Sequence, residues 1–153
     1  MRRVWRISQA RRRAFDGEGA RLRGGRWNHP GTPIVYISSS LALAALETLV
    51  HLVRFLPLRH LVAVSADIPE SVSIVAMRAR GLPGGWRASS PPASVADIGT
   101  RWAEARESAV LAVPSVIIPQ ELNYLLNPLH PHFKHIRIGR PEPFYFDPRF
   151  WRP

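Results

Sequence analysis

Residues Leu41-Ala42-Leu43-Ala44-Ala45-Leu46-Glu47-Thr48-Leu49-Val50-His51-Leu52-Val53 read as a helix apolar around nearly its whole circumference, with Glu47 its only acid. Such a helix is expected to be packed on several sides and not to lie on a surface. Ser38-Ser39-Ser40 offer N-cap hydroxyls just ahead of it. A carboxylate in that setting is costly unless a charged or hydrogen-bonding partner meets it. Three readings of Glu47 follow: a polar stripe one residue wide, a salt bridge to Arg54 or another arginine, or a carboxylate facing a cleft lined by arginines.

The segments around this helix alternate irregularly. Val4-Trp5-Arg6-Ile7 reads as a short strand with Trp5 and Ile7 on one face and Arg6 on the other. Residues 17–31 hold five glycines and read as loop, and Pro33-Ile34-Val35-Tyr36-Ile37 reads as a second strand. Further strands are expected at 61–68, 109–119, 136–138 and 144–146, a short helix at 98–106, an irregular excursion over 82–92 and a loop over 123–131. Pro114 cannot donate to a sheet ladder, so Ser115 should lie at an edge, bend or bulge. Strands outnumber helices without a regular βαβ series, which predicts an α+β fold in one domain over 1–153.

With no Cys in 153 residues, disulfide scaffolds, Cys-ligated zinc and thiolate catalysis drop out. No apolar run approaches the roughly 20 residues of a bilayer span, and Met1-Arg2-Arg3-Val4-Trp5-Arg6 lacks the apolar stretch of a secretory signal, so a cytoplasmic protein without a membrane partner is expected. The formal net charge is +10, and Lys134 is the only lysine. Residues 1–30 carry nine arginines, among them the Arg11-Arg12-Arg13 triplet, against Asp16 and Glu18. An anion should therefore sit near the N-terminal segment: a nucleic acid, a phosphorylated small molecule or an acidic protein. The six histidines form no His-x-x-x-His or His-Glu-x-x-His pattern, so no metal is expected, and no Walker or Gly-x-Gly-x-x-Gly loop is present.

Four residues join Glu47 as candidates. Arg26 sits in Gly24-Gly25-Arg26-Trp27-Asn28, where a flexible backbone can bring a guanidinium to a phosphate and an aromatic ring can cover a flat ligand group. Arg6 points either to solvent or into a cleft on the far side of its sheet. Tyr36 is either core or a ring stacked on a ligand. Ser115 lacks a nucleophile elbow and reads as a hydrogen-bond donor to a ligand, or as a residue that only satisfies local backbone.

Read together, Arg26, Glu47 and Ser115 make the chain closely similar to the RES domain family, named for an arginine, a glutamate and a serine. The resemblance extends through Trp5-Arg6-Ile7, Gly24 to Asn28 with Gly31-Thr32-Pro33, Tyr36, Leu46-Glu47 with His51, Pro83 to Trp86, Gly99 with Trp102, Val113-Pro114-Ser115, and Asn123-Tyr124-Leu125 with Asn127-Pro128. Gln120 departs from the acid expected in many relatives. The resemblance implies a fold similar to ADP-ribosyltransferase toxins, a mixed β core with flanking helices. It also implies a type II toxin that uses NAD as substrate, needs no other cofactor, pairs with an Xre-like helix-turn-helix antitoxin and self-associates as a homodimer. Its arginines and acid fall on Arg6, Arg26 and Glu47 as catalytic residues, with Arg6, Arg26, Tyr36 and Ser115 binding substrate.

These residue types suit that chemistry. Bidentate arginines can hold the pyrophosphate of NAD. The nicotinamide ring is already cationic and leaves neutral, so one carboxylate suffices to stabilise an oxocarbenium-like transition state and no general acid is required. Family members differ in whether water, phosphate or a protein side chain accepts the ADP-ribose. A basic nucleic-acid-binding or ribonuclease module is the competing reading, but the chain offers no recognition helix, RNP-like aromatic pair or His pair.

Overall fold

In a computed structural model that describes residues 1–12, 14–52 and 59–151, the chain builds a mixed sheet of eight strands with three α-helices against it. β1 (Arg2–Gln9) pairs along its whole length with β3 (Leu61–Ile68), antiparallel, from Arg2↔Ile68 to Gln9↔Leu61. β2 (Val35–Ser38) pairs along its whole length with β6 (Leu122–Leu126), which in turn pairs with β5 (Val110–Pro114). β4 (Ile74–Ala76) adds the one parallel pairing, on β5. β7 (Arg137–Ile138) and β8 (Glu142–Phe144) line the outer edge of β3. The α+β expectation matches this architecture.

The two halves of the sheet share one register pair, Trp5↔Ser38. Beyond that pinch, toward Gln9 on β1 and Val35 on β2, the strands part, each still satisfied by its other neighbour. Backbone groups left facing the gap are polar, so the split favours a ligand cleft over a packed core.

Helix α2 (Leu41–Leu52) crosses the pinch and seats Leu43 and Ala44 in the core, with Ala44 packed beside Ile7, Leu61 and Ala63. Trp5 packs into the same cluster, as strand alternation predicts for Trp5 and Ile7. Burial on several sides is corrected: Leu46 is 37% exposed and Val50 54%, with Leu46 flanked among the described residues by Phe144 to Asp147 and Phe150, and Val50 on the side of the helix that faces the gap between β1 and β2. Val53 and Arg54, at the expected helix end, and Arg13 lie outside the described residues.

Two elements depart from the expected loops. Helix α1 (Glu18–Arg23) occupies part of the Gly-rich stretch, entered through Gly17 at φ 70 and left through Gly24 at φ 72. β6 replaces the start of the loop expected at 123–131, burying Tyr124, Leu125 and Leu126 between β5 and β2; pairing on both edges outweighs the turn preference of Asn123. Helix α3 (Ala93–Ala105) starts directly after Pro92, five residues earlier than expected. β5 ends at Pro114, past the last β4 pair at Ala112, so no ladder bond is lost to the proline, and Ser115 turns out of the strand. Of the described residues, no helix is long and apolar enough to cross a membrane.

Candidate active site

A cavity of about 460 Å³ opens where β1 and β2 part. Arg6, Ser8 and Gln9 come from β1, Tyr36 and Ser38 from β2, Glu47 and His51 from α2, Arg26 from the loop after α1, and Asn123 from β6. Among the described residues Glu47 is the only acid on its wall, with Arg6, Arg12, Arg23 and Arg26 around it.

Glu47 is held from one side. The Ser115 hydroxyl donates to Glu47 Oε1 at 2.8 Å, and the Asn123 side-chain amide donates to the same oxygen. Asn123 is itself oriented by Ser38, whose hydroxyl donates to Asn123 Oδ1 at 2.7 Å. Glu47 Oε2 has no hydrogen-bond partner among the described residues. One oxygen is thus anchored and the other left to meet something in the cavity.

Ser115 is placed differently from a ligand donor. It is fully buried, absent from the cavity wall, and its oxygen accepts from the amides of Ile117 and Ile118 at 3.1 Å each. Its single proton is spent on Glu47, which makes it a positioning residue behind the carboxylate.

Arg26 stands on a tight turn closed by Gly25 N–H to Asn28 O at 2.9 Å. The buried Asn28 fastens the turn by donating to the carbonyls of Ala20, His29 and Thr32. The Tyr36 hydroxyl completes the lock, donating to Asn28 Oδ1 at 2.7 Å and accepting from Trp27 N at 3.1 Å. A Cβ on Gly25 would lie 2.6 Å from that hydroxyl, so only glycine fits there. Tyr36 lines the cavity with its ring while its enclosed hydroxyl is pushed well above the usual phenol range by burial.

Arg26 Nη1 donates to the carbonyls of Trp86 and Ala88 at 2.7 Å each, which ties the 82–92 excursion to the site. Arg6 Nη1 donates to Ala14 O at 2.6 Å, and its guanidinium lies 5.5 Å over the Phe15 ring. Burial lowers the pKa of both arginines, opposed by Asp16 at Arg6 and by Glu47 and Tyr36 at Arg26. Neither has a salt bridge among the described residues. Two partly desolvated cations without an acidic partner on one concave wall are suited by charge to an anion.

Arg6, Arg26, Tyr36 and Glu47 therefore share one concavity, with Ser115 behind it. Asn123 and Ser38, which fix Glu47, were not among the residues singled out from sequence. Asn123 stands in a stretch that carries the family resemblance, whereas the sequence marks Ser38 only as an N-cap candidate, a role that falls to Ser40, whose hydroxyl accepts from Leu43 N. Gln120 lies exposed on the turn between β5 and β6.

The RES domain family profile matches residues 3–147. The chain belongs to the RES domain family. This RES-domain chain is 44% identical over 156 residues to the Prs ADP-ribosylating toxin of Sphingobium sp. (strain YBL2), covering 97% of this chain and 96% of that one. It is 41% identical over 136 residues to Toxin Res of Yersinia enterocolitica, covering 88% and 89%. Its fold is similar to one in the crystal structure of the M. tuberculosis MbcT–MbcA toxin–antitoxin complex, with TM-score 0.77 at 17% identity over 92% of this chain and 82% of that chain.

Proposed function

We propose that this RES-domain chain is the toxin of a toxin–antitoxin pair and that it consumes NAD by breaking the nicotinamide–ribose bond. The observation that carries the reading is the Glu47 carboxylate, one oxygen held by Ser115 and Asn123 and the other open to a cavity that also holds the desolvated Arg6 and Arg26. Arg6 and Arg26 would hold the pyrophosphate, and Tyr36 would pack on a ring or ribose. Glu47 Oε2 would accept a hydrogen bond from a hydroxyl of the nicotinamide ribose. As the C1′–N bond breaks, its electron pair leaves on the nicotinamide, which becomes neutral, and the fixed carboxylate stabilises the cationic sugar. An acceptor then attacks C1′.

Hydrolysis or phosphorolysis would deplete NAD. Transfer to a protein is the second reading, favoured by the name of the Sphingobium relative. The partner would be an Xre-like antitoxin with a helix-turn-helix domain, in the cytoplasm, and the toxin would self-associate as a homodimer.

The test is to incubate the protein with NAD, with and without inorganic phosphate, and to identify by mass ADP-ribose, its 1″-phosphate or a protein adduct. Glu47→Gln should abolish nicotinamide release with the fold intact, and undiminished turnover would remove Glu47 from the reaction. Arg26→Ala should cost about 2–4 kcal/mol of transition-state stabilisation.

A further inference from the structure

Three consecutive residues of the 82–92 excursion reach the site at two places. Arg26 Nη1 donates to the carbonyls of Trp86 and Ala88 at 2.7 Å each. Between those carbonyls in sequence, Arg87 donates to the Val116 carbonyl from Nη2 at 3.1 Å and from Nε at 3.3 Å. Val116 belongs to the turn that holds Ser115. In that turn Ser115 N donates to Glu121 O at 2.9 Å, and the Ile117 and Ile118 amides donate to Ser115 Oγ at 3.1 Å each. Residues 86–88 therefore run from the backbone that orients Arg26 to the turn behind Glu47.

The segment is braced at both ends. Trp86 N donates to Pro83 O at 3.2 Å and Ala88 N to Gly85 O at 2.9 Å, two successive turns. The Trp86 ring stands 6.3 Å, centroid to centroid, from that of Trp27, the residue after Arg26. Both hydrogens of Arg26 Nη1 are spent on the two carbonyls, which leaves its Nε–Nη2 edge, without hydrogen-bond partners among the described residues, to take a phosphate. Arg87 is exposed and is absent from the cavity wall, whereas Pro114, Val116 and Ile117 stand on it. Its effect on a ligand in the cavity passes through Val116.

We propose that Arg87 is a positioning residue for the cleavage, fixing the Ser115 turn, and with it Glu47, against the segment that orients Arg26. The inference rests on the NAD-cleaving reading for the reaction it serves, and on the hydrogen bonds alone for the link between residues 86–88 and the Ser115 turn. Substitution of an exposed residue moves global stability little, so the readouts are kinetic and local.

Arg87→Ala should lower kcat for nicotinamide release about threefold to tenfold, with KM for NAD changed by less than about twofold, the size expected for one lost hydrogen bond. Arg87→Lys keeps a donor on a long stem and should recover part of that loss. In a Ser115→Ala background, where the turn no longer grips Glu47, Arg87→Ala should cost less than about twofold. Unchanged kcat, a rise in KM alone, or the full loss retained in the Ser115→Ala background overturns the proposal. Amide hydrogen exchange reads the same link without turnover. The Ile117 and Ile118 amides, which donate to Ser115 Oγ, should exchange about threefold to tenfold faster in Arg87→Ala, and unchanged exchange overturns the link. Faster exchange in the variant, together with a wild type that releases no nicotinamide, supports the link and sinks the cleavage reading alone.

Discussion

The Ser115 hydroxyl and the Glu47 carboxylate, 68 residues apart in sequence, meet at 2.8 Å with the hydroxyl as donor and Glu47 Oε1, the oxygen that Asn123 also holds, as acceptor. Serine thereby fixes which oxygen of Glu47 faces the ligand. Ser115→Ala should lower kcat for nicotinamide release about tenfold to a hundredfold with KM for NAD changed by less than about threefold, as expected for a hydrogen bond to a charged group worth about 1.5–3 kcal/mol. A KM rise with kcat unchanged would instead make Ser115 a binding residue.

Asn123 donates to the same oxygen. Removing either donor frees the carboxylate to rotate, so the second removal has less left to break. Asn123→Ala should therefore reduce kcat about as much as Ser115→Ala, and the double variant should fall short of the product of the two effects by about 0.5–3 kcal/mol of coupling. Full additivity in that cycle would mean that the two donors act independently of Glu47's orientation.

What the sequence disclosed depended on whether a signal was local. Strong alternation or apolar runs placed β1, β2, β3 and α2 within about two residues of their observed ends, whereas the strand expected over 109–119 stops at Pro114, where the Ile117 and Ile118 amides turn back onto the Ser115 hydroxyl. β6 escaped because Asn123 and Asn127-Pro128 carry turn preferences, and only the strands on either side show that Leu122–Leu126 is a buried ladder. The same preference hid Asn123 as a partner of Glu47. Alternation along β1 put Arg6 opposite Trp5, which by itself separates Arg6 from residues on the α2 face. The single pair Trp5↔Ser38 resolves this, since the parting of β1 from β2 opens a gap reached from both faces. No periodicity records where two strands stop pairing. Arg26 and Glu47 were legible because glycines around an arginine and an acid within an apolar helix are local anomalies. Ser38 was not, because its role exists only through a contact with residue 123.

Tyr36 offers a pH signature. Burial raises its folded-state pKa above the unfolded value. A raised pKa means stability that is fully present below the unfolded pKa of about 10 and is lost as the pH climbs from there toward the folded value. Tyr36→Phe should cost about 1–3 kcal/mol near pH 7, since Asn28 Oδ1 loses its donor and the Trp27 amide its acceptor. The stability gap between wild type and Tyr36→Phe should then narrow between about pH 10 and pH 11.5 by up to about 1.4 kcal/mol per pH unit. Urea titrations across that range check it, and a constant gap would place the hydroxyl in solvent.

Gly99 tests how rigidly α3 backs the loop that carries Arg26. Glycine in a helix interior is worse than alanine by about 1 kcal/mol, so helix propensity alone predicts that Gly99→Ala stabilises the protein. Sterics predict the reverse. A Cβ at position 99 would overlap the carbonyl oxygen of Trp27, a backbone atom that can move only if the turn holding Arg26 moves with it. Overpacking against backbone costs about 1–3 kcal/mol or more, so the Tm should fall by about 2–12 °C. Nicotinamide release should fall too, because displacement of Trp27 carries Arg26 away from Glu47. Gly81→Ala, where nothing lies within 4 Å, is the same change without a clash and should leave turnover near wild type and raise Tm by up to a few degrees. Because the two forces have opposite signs at Gly99, the direction of the Tm shift decides between them, and a rise would mean that α3 and the Arg26 turn are not in the contact described.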